Sequence, residues 1–114
     1  MLPKTNRLKK KKDFDRVARS KRRAVGQFLV VKACSNKQPA TRVGFVVSKK
    51  VSKKAVLRNK TKRRLREAVT ALLPQIRHGY DLVFFSRPQI IEKDLPAIKD
   101  EAEQLLKRLK LLNA

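Results

Sequence analysis

The chain has 114 residues with 31 Lys and Arg against 9 Asp and Glu, and 31 minus 9 leaves a formal charge of +22. At 41% hydrophobic it can bury one core and is too short for two, and self-repulsion on this scale calls for a polyanion, with nucleic acid ahead of an anionic membrane. A lone Cys34 rules out an intramolecular disulfide, and with His78 as the only histidine there is no zinc set, which points to a reducing compartment, the cytoplasm.

The residues from Met1 to Lys12 are basic, and no apolar stretch follows that would make them a secretory signal; no run is long enough to span a bilayer. Asp13 then stands as the N-cap of a short helix reaching Arg19, with Phe14, Val17 and Ala18 on one face. Beyond the charged stretch 20–23, Phe28 to Cys34 is β-branched and aromatic, Asn36 to Pro39 reads as a turn, and Arg42 to Ser48 reads as a second strand. The simplest pairing of these two strands is antiparallel.

From Leu57 to Leu73 the period changes: Leu57, Leu65, Ala68, Val69, Leu72 and Leu73 trace a helical stripe that Pro74 ends. Gly79 precedes a buried-type strand from Asp81 to Ser86, closed by Pro88. Asp94 caps a last helix striped by Leu95, Ile98, Ala102, Leu105, Leu106, Leu109 and Leu112. The periodicity therefore gives the order αβ(β)αβα in a single domain, 1–114, with a basic segment, 1–12, left free to be flexible.

Charge is unevenly placed on these elements. At about 100° per residue, Arg58, Asn59, Lys62, Arg63 and Arg66 fall within an arc of about 140° beside the apolar stripe of the long helix. Glu67 is the only acid between Asp15 and Asp81, so the arc has almost no internal compensation, and like charges at i, i+4 repel. Lys49, Lys50, Lys53 and Lys54 lead into the same helix, where cations oppose the macrodipole and phosphate would relieve it. Guanidinium forks suit phosphate oxygens and stack on bases. The last helix region instead holds Glu92, Asp94, Asp100, Glu101 and Glu103 among lysines, the pattern of a packed and solvated structural helix.

Protein-based chemistry is unsupported. Asp13 and Asp15 do not share a helix face, Cys34 lies in an apolar strand as an inert thiol, and His78 belongs to a loop. Gly26, Gly44 and Gly79 are too far apart to form a phosphate-cradling loop.

Two stretches, Arg42-Val-Gly-Phe-Val-Val-Ser-Lys-Lys50 and Ala55-Val-Leu-Arg-Asn-Lys-Thr-Lys-Arg-Arg-Leu-Arg-Glu67, resemble the hallmark of the bacterial ribonuclease P protein subunit. Asn6-Arg-Leu-Lys9 before Asp13-Phe14, Gln27-Phe28, and Tyr80-Asp-Leu-Val-Phe-Phe-Ser-Arg-Pro88 extend the resemblance over nearly the whole chain. It implies a ribosomal-protein-like α/β sandwich, order αβββαβα, with a left-handed crossover through the Arg58-Asn59 helix, against the usual right-handed preference. It further implies a protein that assists a catalytic RNA in removing the 5′ leader of precursor tRNA, with magnesium held mainly by the RNA. One protein per RNA and no membrane partner are expected.

On the same resemblance Arg58, Asn59, Lys62, Arg63 and Arg66, extended by Lys49, Lys50, Lys53 and Lys54, would contact the RNA subunit. Phe14, Val17, Val31 and Lys32, approached by Lys9 and Lys12, would form the leader cleft. Two positions often aromatic in the family are Ala18 and Val31 here, and Val51-Ser-Lys-Lys-Ala55 is longer than the family's Gly-containing turn. Composition alone fits two other classes. A structural ribosomal protein or general RNA chaperone differs in giving no specific holoenzyme on reconstitution, and a membrane-active cationic protein differs in binding liposomes.

Overall fold

The computed structural model describes residues 2–113. In chain order it places helix α1 at Lys11–Ala18, strands β1 at Arg23–Val25, β2 at Leu29–Ser35 and β3 at Arg42–Val46, helix α2 at Ala55–Leu72, strand β4 at Tyr80–Ser86 and helix α3 at Leu95–Arg108. The order αβββαβα that the family resemblance implied is therefore the order observed. β1 is only three residues long, too short for any period to be read from the sequence.

The strands form one sheet in the order β1-β2-β4-β3. This corrects the simplest pairing of the second and third strands: they are not a hairpin, because β4 lies between them. β4 runs antiparallel to β2 and parallel to β3. The reason is visible in β4, where Asp81 to Phe84 are all buried; a strand covered on both faces belongs in the middle of a sheet. The parallel β3–β4 pair then needs a crossover, which α2 supplies.

Alternation along the strands divides the interior into two layers. Leu29, Val31, Leu82 and Phe84 face α2 and α3, meeting Leu65, Val69, Leu72, Ile98 and Leu105 in the main core. Phe45 joins them, its ring stacked 5.9 Å from Phe84. The opposite face holds a smaller core in which Val17 of α1 and Leu8 cover Val83. Among the described residues no helix is long and apolar enough to cross a membrane.

Helix ends follow local chemistry. Asp94 caps α3 as expected, accepting a hydrogen bond from the Ala97 amide at 3.0 Å. Asp13 does not cap α1, which starts at Lys11. Its carboxylate instead meets Arg16 at 3.4 Å and Arg42 at 3.7 Å. In so cationic a protein, pairing with two guanidiniums outweighs a cap, which contributes about 1 kcal/mol.

The basic N-terminal stretch is docked on the sheet. Leu2 and Leu8 are buried, the Leu8 amide donates to Val43 O at 3.0 Å, and Asn6 Nδ2 donates to Thr41 O at 2.7 Å. This covers the exposed edge of β3. Glu101 of α3 is more than a solvating charge: its oxygens accept from the Gln27 and Phe28 amides at 2.8 and 3.0 Å, tying the β1–β2 turn to the helix.

Candidate nucleic-acid interface

The α1 side of the sheet is built from three cross-strand rungs. The first is Cys34–Asp81–Arg42, the second Lys32–Val83–Gly44 and the third Val30–Phe85–Val46. α1 lies over the first two. Val17 packs on Val83, and Phe14 approaches Gly44 so closely that a Cβ there would overlap its ring. Glycine at 44 thus serves close packing, a role its isolation in sequence did not suggest. The third rung is left half-exposed, and Lys32 stands over it with its Nζ 5.4 Å from the centre of the Phe85 ring.

The leader positions expected from sequence separate on this frame. Lys9 and Lys12 are exposed, and Phe14 and Lys32 are half-buried. Val17 and Val31 have no exposed surface. Val31 lies on the far face, in the main core, because β2 alternates; its neighbours Val30 and Lys32 take the α1 side. Val31 is therefore corrected from a cleft residue to a core residue, and Val17 to the buried contact of α1 with Val83. The half-exposed Val30, Val46 and Phe85, absent from the expected set, lie on the α1 side instead. Their signal was parity: each lies two residues from a position that faces α1.

The second surface is the cationic side of α2. Leu65, Ala68, Val69 and Leu72 are buried, as the stripe predicted, and Thr61 joins them with its hydroxyl donating to Leu57 O at 3.0 Å. Asn59, Arg63 and Arg66 are exposed and Lys62 is half-buried. Arg58 donates to Ser52 O at 2.9 Å, drawing in the loop that carries the exposed Lys49, Lys50, Lys53 and Lys54. The helix begins without a capping side chain or an acid in its first turn. Among the described residues none of Arg58, Lys62, Arg63 and Arg66 has an ion-pair partner, whereas Arg16 and Arg42 do. A one-signed face of this kind keeps its full attraction for phosphate.

The two surfaces meet. Between the N-terminal segment and α2 runs a groove of about 380 Å³ lined by the apolar Leu8, Phe14 and Phe45 and by the cations Arg7, Lys9, Lys62 and Arg66. Phe14 and Lys9 of one expected set thereby adjoin Lys62 and Arg66 of the other.

Asp81 anchors the first rung. Burial alone would raise its carboxyl pKa, but hydrogen bonds from Arg42 and Asn36, the Arg42 charge and a bond from Arg16 together hold it below the ordinary carboxylate range. For Cys34 burial dominates and pushes the thiol up despite nearby Arg16, consistent with an inert thiol. With the folded-state pKa of Asp81 depressed, its stabilisation is present above the unfolded pKa and lost as pH falls through the folded one. Wild-type stability should thus fall more steeply than that of Asp81→Asn below about pH 4. Denaturant midpoints measured against pH check this, and parallel curves would contradict it.

Among the described residues no three His, Cys, Asp or Glu side chains converge.

A family model described as ribonuclease P matches residues 2–110. The chain is 38% identical over 111 residues to the ribonuclease P protein component of Caldanaerobacter subterraneus subsp. tengcongensis, covering 97% of this chain and 95% of that one. It is 38% identical over 109 residues to the corresponding protein of Chloroflexus aurantiacus, covering 95% and 80%. Its fold superposes on the Staphylococcus aureus RNase P protein with a TM-score of 0.84 at 33% identity, covering 95% of this chain and 98% of that one. On the Thermotoga maritima RNase P protein the TM-score is 0.80 at 29% identity, with 90% and 96% covered.

Proposed function

This chain belongs to the bacterial ribonuclease P protein family, and from that premise we propose that it assists a catalytic RNA in removing the 5′ leader of precursor tRNA by binding both RNAs. The observation that carries the reading is the cationic side of α2, where Lys62 and Arg66 share one groove with Phe14 of α1 and Lys9.

The α2 side and its lysine loop dock the RNA subunit. Arg63 and Arg66 hold phosphates, Asn59 adds a directional hydrogen bond, and Lys49, Lys50, Lys53 and Lys54 supply less directional charge. Phe14 offers a ring on which a leader base stacks, with Lys9, Lys12 and Lys32 drawing the backbone past it. Val30, Val46 and Phe85 extend the apolar floor. We assign the hydrolytic step to the RNA subunit and the magnesium ions it holds. Neutralising phosphate repulsion where the RNAs converge lowers the magnesium concentration they need. We take one protein per catalytic RNA.

Two measurements test this. The holoenzyme should bind precursor tRNA more tightly than mature tRNA, and equal affinities would remove leader recognition. Arg63→Ala should weaken binding to the RNA subunit and reduce the slope of log K against log salt by about one. An unchanged slope would remove Arg63 from the contact set.

A further inference from the structure

One charge, Asp81, lies wholly buried beneath the α1 surface. Asp81 has no exposed area on a strand whose other central residues are apolar. Its oxygens accept from Arg42 Nε at 2.9 Å, Arg42 Nη2 at 2.8 Å, Asn36 Nδ2 at 2.9 Å and Arg16 Nη2. Arg42 belongs to β3 and Asn36 directly follows β2, so of these donors only Arg16 comes from α1. Arg16 also reaches Cys34 Sγ and Ser35 O, each at 3.3 Å.

A carboxylate is a costly way to fill space under a helix, and an apolar side chain of similar volume would stabilise at least as well. What the carboxylate adds is direction, since a guanidinium held by a fixed acceptor has few allowed positions. At about 100° per residue, Arg16 and Phe14 stand on opposite sides of Val17, the residue that points into the sheet. Arg16 is thus a latch on one flank of α1, and Phe14 is the ring carried on the other. Any rotation of α1 about Val17 would sweep Phe14 across Gly44 and change its distance from Val46 and Phe85.

We propose that Arg16, latched to Asp81, is a positioning residue for leader recognition, fixing the rotation of α1 and so the place where Phe14 meets a base. This rests on the function proposed above. Arg16 need not touch RNA, because its guanidinium is already engaged by the protein.

The test uses the full-length chain carrying Arg16→Met, reconstituted with its catalytic RNA and assayed on two precursor tRNAs, one with a leader of several nucleotides and one with a single-nucleotide leader. The latch predicts that KM for the long-leader substrate rises about tenfold, part of one base–aromatic stack. kcat, KM for the short-leader substrate and affinity for the RNA subunit should stay unchanged. Arg16→Lys, which keeps the charge and loses the planar fork, should fall between wild type and Arg16→Met. KM unchanged on both substrates, or raised equally on both, would overturn the proposal. If Arg16→Met loses its cooperative thermal transition, Arg16→Lys alone is read by the same outcomes. A wild-type holoenzyme with no preference for the longer leader would overturn the leader-binding reading itself, and this inference with it.

Discussion

Asp81→Ala is expected to lower the unfolding free energy by about 3–5 kcal/mol, the cost of removing one partner from a buried ion pair. The loss comes less from missing attraction than from what is left behind. Arg42, only 20% exposed along its side chain, would keep Asp13 at 3.7 Å as its one acidic neighbour. Asn36 Nδ2 would lose one of its two acceptors, keeping Ala40 O at 3.0 Å. Asp81→Asn keeps an acceptor oxygen and should cost less than the alanine variant. Urea midpoints with unchanged m-values measure both; an Asp81→Ala midpoint equal to wild type would mean that the first rung adds nothing to stability.

Leu65→Ala should cost about 2–5 kcal/mol, combining lost transfer energy with the cavity left behind. Leu65 has no exposed surface and lies in the main core with Val69, Leu72 and residues of α3 and the sheet. Truncation to alanine at an exposed position of the same helix supplies the contrast: Val56 of α2 is 75% exposed, and Val56→Ala should stay within about 0.5 kcal/mol of wild type. A negligible change at Leu65 would contradict the burial of the stripe and, with it, the assignment of the adjacent cationic side of α2 to RNA.

Helix α2 was the most legible element because its signals agree: an apolar stripe at helical spacing, Pro74 at the end, and, beside the stripe, an arc of cations with Glu67 as the helix's one acid. Its observed span, Ala55–Leu72, differs from the periodic reading by a residue or two at each end. Strand order was not legible from periodicity. Each strand announces its own burial, yet nothing local in Arg42–Val46 says that its neighbour is β4, more than thirty residues away, rather than the adjacent β2. The resemblance carried that information where alternation could not.

The candidate site shows the same division. Cations on α2 were found because helical geometry converts spacing directly into a face. Val31 was misplaced because a strand's two faces differ by one residue, and a shift of one moves a side chain from solvent to core. The Asp13 cap failed for another reason: the capping preference is local, whereas the pull of Arg42 comes from a strand nearly thirty residues away. The role of Gly44 depends on the approach of Phe14, which no local pattern encodes.

The most direct test of the central claim is the rate of precursor tRNA cleavage by the catalytic RNA, titrated with magnesium in the presence and absence of the chain. A cationic protein face docked against RNA predicts a half-maximal magnesium concentration shifted to lower values by the protein, with the shift reduced by Arg63→Ala. Superimposable titrations with and without the protein would contradict it.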